Sequence, residues 1–121
     1  MKRILLVEDN PHLAEEITDV LRLEGFQVAG AISGFKALEL LFEFRPDLII
    51  TDLLMPGMDG FELIQKVRST SHFQTIPVII LSARTSKADM TRGKEVGADN
   101  FIQKPCKAHE LIASITSLIG R

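Results

Sequence analysis

Polar side chains suited to phosphoryl chemistry follow four of the five short apolar runs in this sequence. In chain order these are Glu8, Asp9, Asp52, Ser82 and Lys104. Three carboxylates brought together repel one another unless a cation lies among them. A hard divalent cation with oxygen ligands such as Mg²⁺ fits, because no histidine or cysteine occupies these positions. A lysine ammonium group and a serine hydroxyl suit phosphoryl oxygens, so the set predicts phosphoryl handling.

Asp52 is the candidate nucleophile of this set. A carboxylate can attack a phosphoryl group and form an acyl phosphate, and phosphoryl transfer needs mainly in-line positioning and charge neutralisation. The following segment Met55–Gly60 contains a proline and two glycines, which predicts a turn that allows close backbone approach. Taken singly, Asp52, Ser82 and Lys104 would be ordinary strand-end or turn residues, so the prediction depends on their combination.

The elements that must position these residues are short apolar runs alternating with helical stretches. The runs are Ile4–Val7, Phe26–Ala31, Leu48–Thr51, Val78–Leu81 and Phe101–Ile102. Continuous runs rich in Ile, Leu and Val are typical of parallel strands covered on both faces. Between them, apolar stripes with helical spacing begin near Asn10–Pro11 and Ser33. The alternation predicts a doubly wound α/β domain with a five-stranded parallel sheet.

In such open sheets, ligands bind beyond the carboxyl ends of the strands. We therefore expect the five polar residues at the ends of the runs to gather at one edge of the sheet.

Two helical stretches raise further hypotheses. Ser86 and Asp89 are spaced as a capping box, but the interior up to Val96 offers little apolar surface, which predicts a helix weakly held to the sheet. The last helix carries Ile112 and Ile119 beyond its core stripe. A stripe this wide indicates either a dimer or partner surface or a helix sunk deeply against its neighbours.

Length and composition narrow the class of protein. The 121 residues suit one domain, residues 1–121, without an internal repeat or linker. A net charge of −2 argues against direct nucleic-acid binding by this domain. The single cysteine, Cys106, favours the reducing cytoplasm. No apolar stretch approaches the length of a signal-peptide core or a membrane span.

Four motifs together resemble the bacterial response-regulator receiver family, in its chemotaxis-regulator-like form. They are LLVEDN, DLIITDLLMPGMDGFEL, PVIILSA and GADNFIQKP, and the resemblance covers essentially the whole chain. It implies a flavodoxin-like (βα)5 fold with strand order 2-1-3-4-5.

The resemblance also implies a role for each residue of the site. Asp52 would be the phosphoacceptor and a metal ligand. Asp9 would bind Mg²⁺ (or Mn²⁺) directly, Glu8 partly through water, and Leu54 through its backbone carbonyl. Lys104 would bind the phosphoryl group and precede a cis peptide bond to Pro105.

Two further residues would belong to the switch that the family implies. Ser82 would supply the switch hydroxyl, and Phe101 stands where the family carries an aromatic residue that changes rotamer. Core filling is the alternative role for Phe101.

The implied function is a phosphorylation-activated switch, with no enzymatic activity beyond Mg²⁺-dependent self-phosphorylation and self-dephosphorylation. A histidine kinase or histidine phosphotransfer protein would donate the phosphoryl group to Asp52. Phosphorylation would change the surface of the fourth helix, fifth strand and fifth helix, where a downstream effector, an output domain or a second copy could bind.

Three alternatives remain at this point. One is a small Mg²⁺-dependent phosphotransfer or phosphatase enzyme acting on an external substrate, for which 121 residues leave no obvious pocket. The others are a receiver retained only as a structural module and a flavin-binding domain of similar topology, in which the three carboxylates would repel a phosphate.

Overall fold

The computed structural model describes residues 1–120, in which five strands alternate with five helices. The strands are β1 (Arg3–Val7), β2 (Gln27–Ala31), β3 (Leu48–Thr51), β4 (Val78–Ser82) and β5 (Asn100–Gln103). The helices are α1 (Pro11–Leu23), α2 (Gly34–Phe44), α3 (Gly60–Arg68), α4 (Lys87–Val96) and α5 (Ala108–Ile119). Each strand contains or overlaps the apolar run that predicted it.

The strands form one parallel sheet in the order β2-β1-β3-β4-β5, which confirms the predicted doubly wound, flavodoxin-like arrangement. In the register of this sheet, Val7 pairs with Thr51 and Thr51 pairs with Ile80. The carboxyl ends of β1, β3 and β4 therefore lie side by side, and the residues that follow them share one edge.

Helices cover both faces of the sheet, and the core divides into two apolar clusters. One cluster contains the inner faces of α2 and α3, and the other those of α1 and α5. Every residue of β3 and β4 is buried, as expected for strands covered on both faces. This burial fixes the two strands at whose carboxyl ends Asp52 and Ser82 lie.

Local signals at the helix ends explain where the helices begin. The Asn10 side chain accepts the N–H groups of His12 and Leu13, with Pro11 in the first turn. Ser33 caps α2, and Asp59 forms a capping box with Glu62 at α3. By contrast, α5 begins without a side-chain cap.

The helix α4 has little apolar surface facing the sheet, as predicted. Its buried residues are Asp89 and Gly93. A Cβ atom at Gly93 would lie 3.1 Å from Ile80 Cδ1 and 3.2 Å from Phe101 Cδ2. The helix therefore rests on these two side chains through its own backbone instead of through large apolar residues.

The structure decides one open alternative and corrects one expectation. Ile112 lies in the core, so the deep-packing alternative holds for that position of α5. The helical spacing of α2 predicts a core position for Phe42, but this residue is 54% exposed. It instead makes an edge contact with Phe73, with ring centroids 5.2 Å apart. Of the helices in residues 1–120, none combines the length and apolar character that a membrane crossing requires.

Candidate functional site

An acidic cluster lies where β1 and β3 end. Oxygen atoms of Glu8, Asp9 and Asp52, one from each carboxylate, lie within 4.8 Å of one another. Glu8 is buried, Asp9 is exposed and Asp52 lies between these extremes. The backbone holds this geometry, since Glu8 donates its N–H to Ala31 and Asp52 donates its N–H to Val7. The structure thus brings the three predicted carboxylates together.

Lys104 reaches the cluster from the loop after β5. Its Nζ atom lies 2.6 Å from Oε1 of Glu8 and 2.9 Å from Oδ2 of Asp52. Its backbone N–H donates to the carbonyl oxygen of Ser82 at 2.9 Å, which places the loop beside the end of β4. The Lys104–Pro105 peptide bond is cis, as the resemblance implied.

The two ion pairs determine the pKa of Lys104. Burial by itself favours the neutral amine and lowers the pKa. The hydrogen bonds and charges of Glu8 and Asp52 outweigh burial, so the pKa of Lys104 is raised above its ordinary value. This side chain is therefore a fixed positive charge at physiological pH.

The carboxylate of Asp52 is oriented by the chain that follows it. Its Oδ1 atom accepts the N–H of Leu53 at 2.6 Å and that of Leu54 at 3.4 Å. Gly60 packs against this segment, and a Cβ at that position would overlap the carbonyl oxygen of Asp52. The close backbone approach predicted for the Met55–Gly60 turn is therefore present. Leu54 itself is exposed beside the site.

Ser82 ends β4 and is completely buried. In the sheet it pairs with Gln103, next to the loop that carries Lys104. Its Oγ atom accepts the backbone N–H of Arg84 at 3.1 Å. A hydroxyl that accepts one hydrogen bond in this way keeps its own O–H for donation to another group.

Phe101 is half-buried on β5 beneath α4, with its ring against the backbone of Gly93. It packs against the apolar cluster that contains the inner faces of α2 and α3. In the sheet it pairs with Ile80 of β4, so it lies between α4 and the strand that ends at Ser82.

Two contacts that shape this site were not predicted from the sequence. The N–H of Asn10 donates to Oε2 of Glu8 at 3.1 Å, so the helix cap also orients an acidic residue. Arg84 forms an ion pair with Asp89 in the first turn of α4. The Ser86–Asp89 spacing predicted the start of the helix, and Ser86 Oγ does accept the N–H of Asp89. That spacing gave no indication that Asp89 binds Arg84.

The donor set fits a hard divalent cation. Three carboxylates face one ammonium group, so negative charge remains in excess at the strand ends. Carboxylate oxygens are the ligands that Mg²⁺ prefers, and two or three of them leave room for water. The cluster of Glu8, Asp9 and Asp52 could therefore hold such an ion.

Comparison with known proteins agrees with the geometry. The model of the response regulator receiver domain matches residues 4–116. The DNA-binding response regulator MtrA of Mycolicibacterium smegmatis is 42% identical over 120 residues, which cover 99% of this chain and 51% of that protein. The transcriptional regulatory protein AfsQ1 of Streptomyces coelicolor is 39% identical over 121 residues, covering 100% and 52%. The chain thus spans about half the length of these relatives.

Solved structures show the same fold over nearly the whole chain. The chemotaxis protein CheY4 of Vibrio cholerae superimposes with a TM-score of 0.94 at 31% identity, covering 98% of this chain and 99% of that one. The receiver domain of a histidine kinase from Syntrophus aciditrophicus gives a TM-score of 0.91 at 40% identity, covering 98% and 90%. This chain belongs to the response regulator receiver domain family, whose members are phosphorylation-activated switches of two-component signalling and not classical enzymes.

Proposed function

We propose that Asp52 is the phosphoacceptor of this receiver. The observation that carries the proposal is its position at the end of β3, with Oδ2 at 2.9 Å from Lys104 Nζ and the carboxylates of Glu8 and Asp9 alongside. Attack of a carboxylate oxygen on the phosphorus atom of the donor would form the acyl phosphate and break the bond to the leaving group. Positioning and neutralisation of charge supply most of the catalysis in such transfers.

Mg²⁺ is the proposed metal, with Mn²⁺ as a substitute that takes the same oxygen ligands. Asp9 and Asp52 would bind it directly, Glu8 partly through water, and Leu54 through its carbonyl oxygen. The ion would neutralise charge on the transferring phosphoryl oxygens. The excess of carboxylates over ammonium groups at the strand ends supports this assignment.

Two residues would bind the phosphoryl oxygens and respond to their presence. Lys104 would exchange its contact with Asp52 for a phosphoryl oxygen, and Ser82 would donate its hydroxyl to another. Phe101 would then change rotamer beneath α4. Because α4 buries little apolar surface, a shift of this helix would cost little free energy. The phosphoryl group can favour the second conformation only by the difference in its interaction with the two.

The donor would be a histidine kinase or a histidine phosphotransfer protein, and the domain would comprise residues 1–121. Hydrolysis of the acyl phosphate at the same site would return the switch to its first state. We place these reactions in the cytoplasm, where ATP supplies phosphoryl groups to kinases. Family membership does not favour the alternative of an enzyme acting on an external substrate.

The output is proposed by analogy with relatives. MtrA is named as a DNA-binding response regulator, and half of its length lies outside the match. An output domain of that kind, or a separate effector, would respond to the surface of α4, β5 and α5. A homodimer through the same surface would be detected as a phosphorylation-dependent increase in mass by analytical ultracentrifugation.

Phosphorylation of Asp52 is tested by incubating the protein with acetyl phosphate and Mg²⁺ and measuring the intact mass. We expect one phosphoryl adduct that is labile to hydroxylamine, and no adduct on Asp52→Asn. The exposed Asp19→Asn variant is the matched control and should still gain the adduct. Absence of an adduct on the unmutated protein, or an undiminished adduct on Asp52→Asn, would overturn the proposal.

A further inference from the structure

The first turn of α4 carries a buried acidic residue with a defined partner. The side chain of Asp89 is 7% exposed, and its Oδ2 atom lies 2.9 Å from Nε of Arg84, whose side chain is 51% exposed. The hydrogen bond from Arg84, supported by Ser86, lowers the pKa of Asp89, so this carboxylate stays ionised. A charged group buried in a helix with few apolar contacts is costly to leave unpaired.

Arg84 has a second contact through its backbone. Its N–H donates to Oγ of Ser82 at 3.1 Å, while its side chain binds Asp89. One residue therefore joins the hydroxyl at the end of β4 to the first turn of α4. If the Ser82 hydroxyl moves, the Arg84 backbone that binds it moves too, and this displaces the Arg84 side chain from Asp89. A movement of Asp89 acts on Ser82 in the same way.

The opposite end of α4 is fixed by different means. Arg68 of α3 donates from Nη2 to the carbonyl oxygen of Gly97 at 2.6 Å and from Nη1 to that of Ile76 at 2.6 Å. Gly97 is the residue that ends α4. Two hydrogen bonds from Arg68 to Gly97 therefore hold the end of α4 to α3. The first turn of α4 is held by the Ser86 cap and by the ion pair of Arg84 with Asp89.

We propose that Arg84 and Asp89 are positioning residues for Ser82, and that their ion pair transmits the state of the phosphorylation site to the first turn of α4. The transmission rests on the proposed function, because it requires phosphorylation of Asp52. The positioning of Ser82 does not require phosphorylation, so it can be measured in the unphosphorylated protein.

The first experiment measures hydrogen exchange of the Arg84 backbone amide by NMR in the unphosphorylated protein. In Asp89→Asn and in Arg84→Gln we expect exchange to be about tenfold faster or more, because the anchor that holds this N–H on Ser82 is lost. Arg84→Lys keeps a positive charge within reach of Asp89, so the Arg84→Lys variant should exchange this amide as slowly as the unmutated protein. Glu39→Gln, which breaks the exposed Lys36–Glu39 pair of α2, is the matched control and should change nothing.

The double variant distinguishes an ion pair from two independent side chains. If the two residues act as one unit, Arg84→Gln combined with Asp89→Asn should exchange no faster than either single variant. Unchanged exchange in Asp89→Asn, additive effects in the double variant, or faster exchange in Arg84→Lys would each overturn the positioning role. Faster exchange in Arg84→Lys would indicate a general loosening of the loop between β4 and α4.

The second experiment follows transmission with acetyl phosphate and Mg²⁺. The intact mass of Asp89→Asn should show the same phosphoryl adduct as the unmutated protein, while the phosphorylation-induced amide shifts of α4 fall by about half or more. A full adduct with undiminished α4 shifts would overturn the transmission alone. No adduct on the unmutated protein would overturn the proposed function and transmission with it, and would leave the exchange result standing.

Discussion

Nζ of Lys104 lies 2.9 Å from Oδ2 of Asp52, so the proposed nucleophile is paired with a cation across the width of two strands. The same nitrogen also contacts the buried Glu8. Among the described residues 1–120, Lys104 is the one positively charged side chain seen to bind the acidic cluster. Removing its charge therefore tests how the negative charge of the three carboxylates is neutralised.

Lys104→Met keeps a side chain of similar volume but leaves three carboxylates to repel one another. We expect the free energy of unfolding, measured by urea titration without divalent cations, to fall by about 2 kcal/mol. Mg²⁺ should stabilise this variant more than the unmutated protein, because the carboxylates have lost their competing partner. Equal stabilisation of both proteins would contradict competition between Lys104 and the cation. No stabilisation of either protein would contradict a cation site at Glu8, Asp9 and Asp52.

The raised pKa of Lys104 gives this contribution a defined pH dependence. The folded protein binds the proton more tightly than the unfolded chain, so the stabilisation is complete below the unfolded pKa of about 10.4. It should be lost as the pH rises through the higher folded pKa. Urea titrations between about pH 8 and pH 11 should show the difference between the unmutated protein and Lys104→Met shrinking only at the alkaline end. A difference that shrinks below pH 9 would be inconsistent with this sign.

Ser82→Ala separates phosphorylation from its consequence. Asp52, Lys104 and the acidic cluster are unchanged, so we expect the phosphoryl adduct to form with acetyl phosphate as before. The amide shifts that phosphorylation induces in α4 should be largely lost, because the hydroxyl that would meet the phosphoryl oxygen is absent. Ser82→Thr retains the hydroxyl and should retain the response. Loss of the adduct itself in Ser82→Ala would assign the serine to the transfer step.

Gly60 tests the backbone contact that orients Asp52. Alanine at an ordinary position early in a helix stabilises a protein by about 0.4–1 kcal/mol, but here the added Cβ would overlap the Asp52 carbonyl oxygen. We expect Gly60→Ala to lower the free energy of unfolding by about 3 kcal/mol and to slow phosphorylation. Gly30→Ala, where nothing lies within 4 Å of the added Cβ, is the control and should be neutral or slightly stabilising.

Much of the fold and site followed from local sequence signals. The continuous runs Leu48–Thr51 and Val78–Leu81 predicted central strands, because short continuous apolar runs are typical of strands covered on both faces. Parallel strands then required the residues after them to share one edge. The grouping of Glu8, Asp9 and Asp52 was therefore predictable before any distance was known.

The remaining details depend on contacts between residues distant in the chain or on side-chain direction. Nothing local to Arg68 indicates that it binds the carbonyl oxygens of Gly97 and Ile76. Phe42 fits the helical stripe of α2 by spacing, yet it is exposed because the neighbouring Leu41 takes the inner position. Arg84 and Asp89 are five residues apart across a helix start, where the direction of a side chain cannot be read from periodicity.

Cys106 offers a check on the environment of the loop after β5. It is half-buried and packs against the α1–α5 side of the core. Burial, with a smaller contribution from the negative charge of Glu110, raises the pKa of its thiol. Because only the thiolate reacts with iodoacetamide, alkylation at neutral pH should be slower than for a small free thiol, whose pKa is about 8.5.

The pH profile of this reaction decides the cause. Its midpoint should lie above that of a free thiol, and Glu110→Gln should move the midpoint down only slightly, since burial is the larger cause. In urea the rate should rise to the free-thiol value, because unfolding exposes the sulfur to water. A native midpoint at or below the free-thiol value would mean that the loop after the Lys104–Pro105 bond is open to solvent, against the half-buried packing of Cys106.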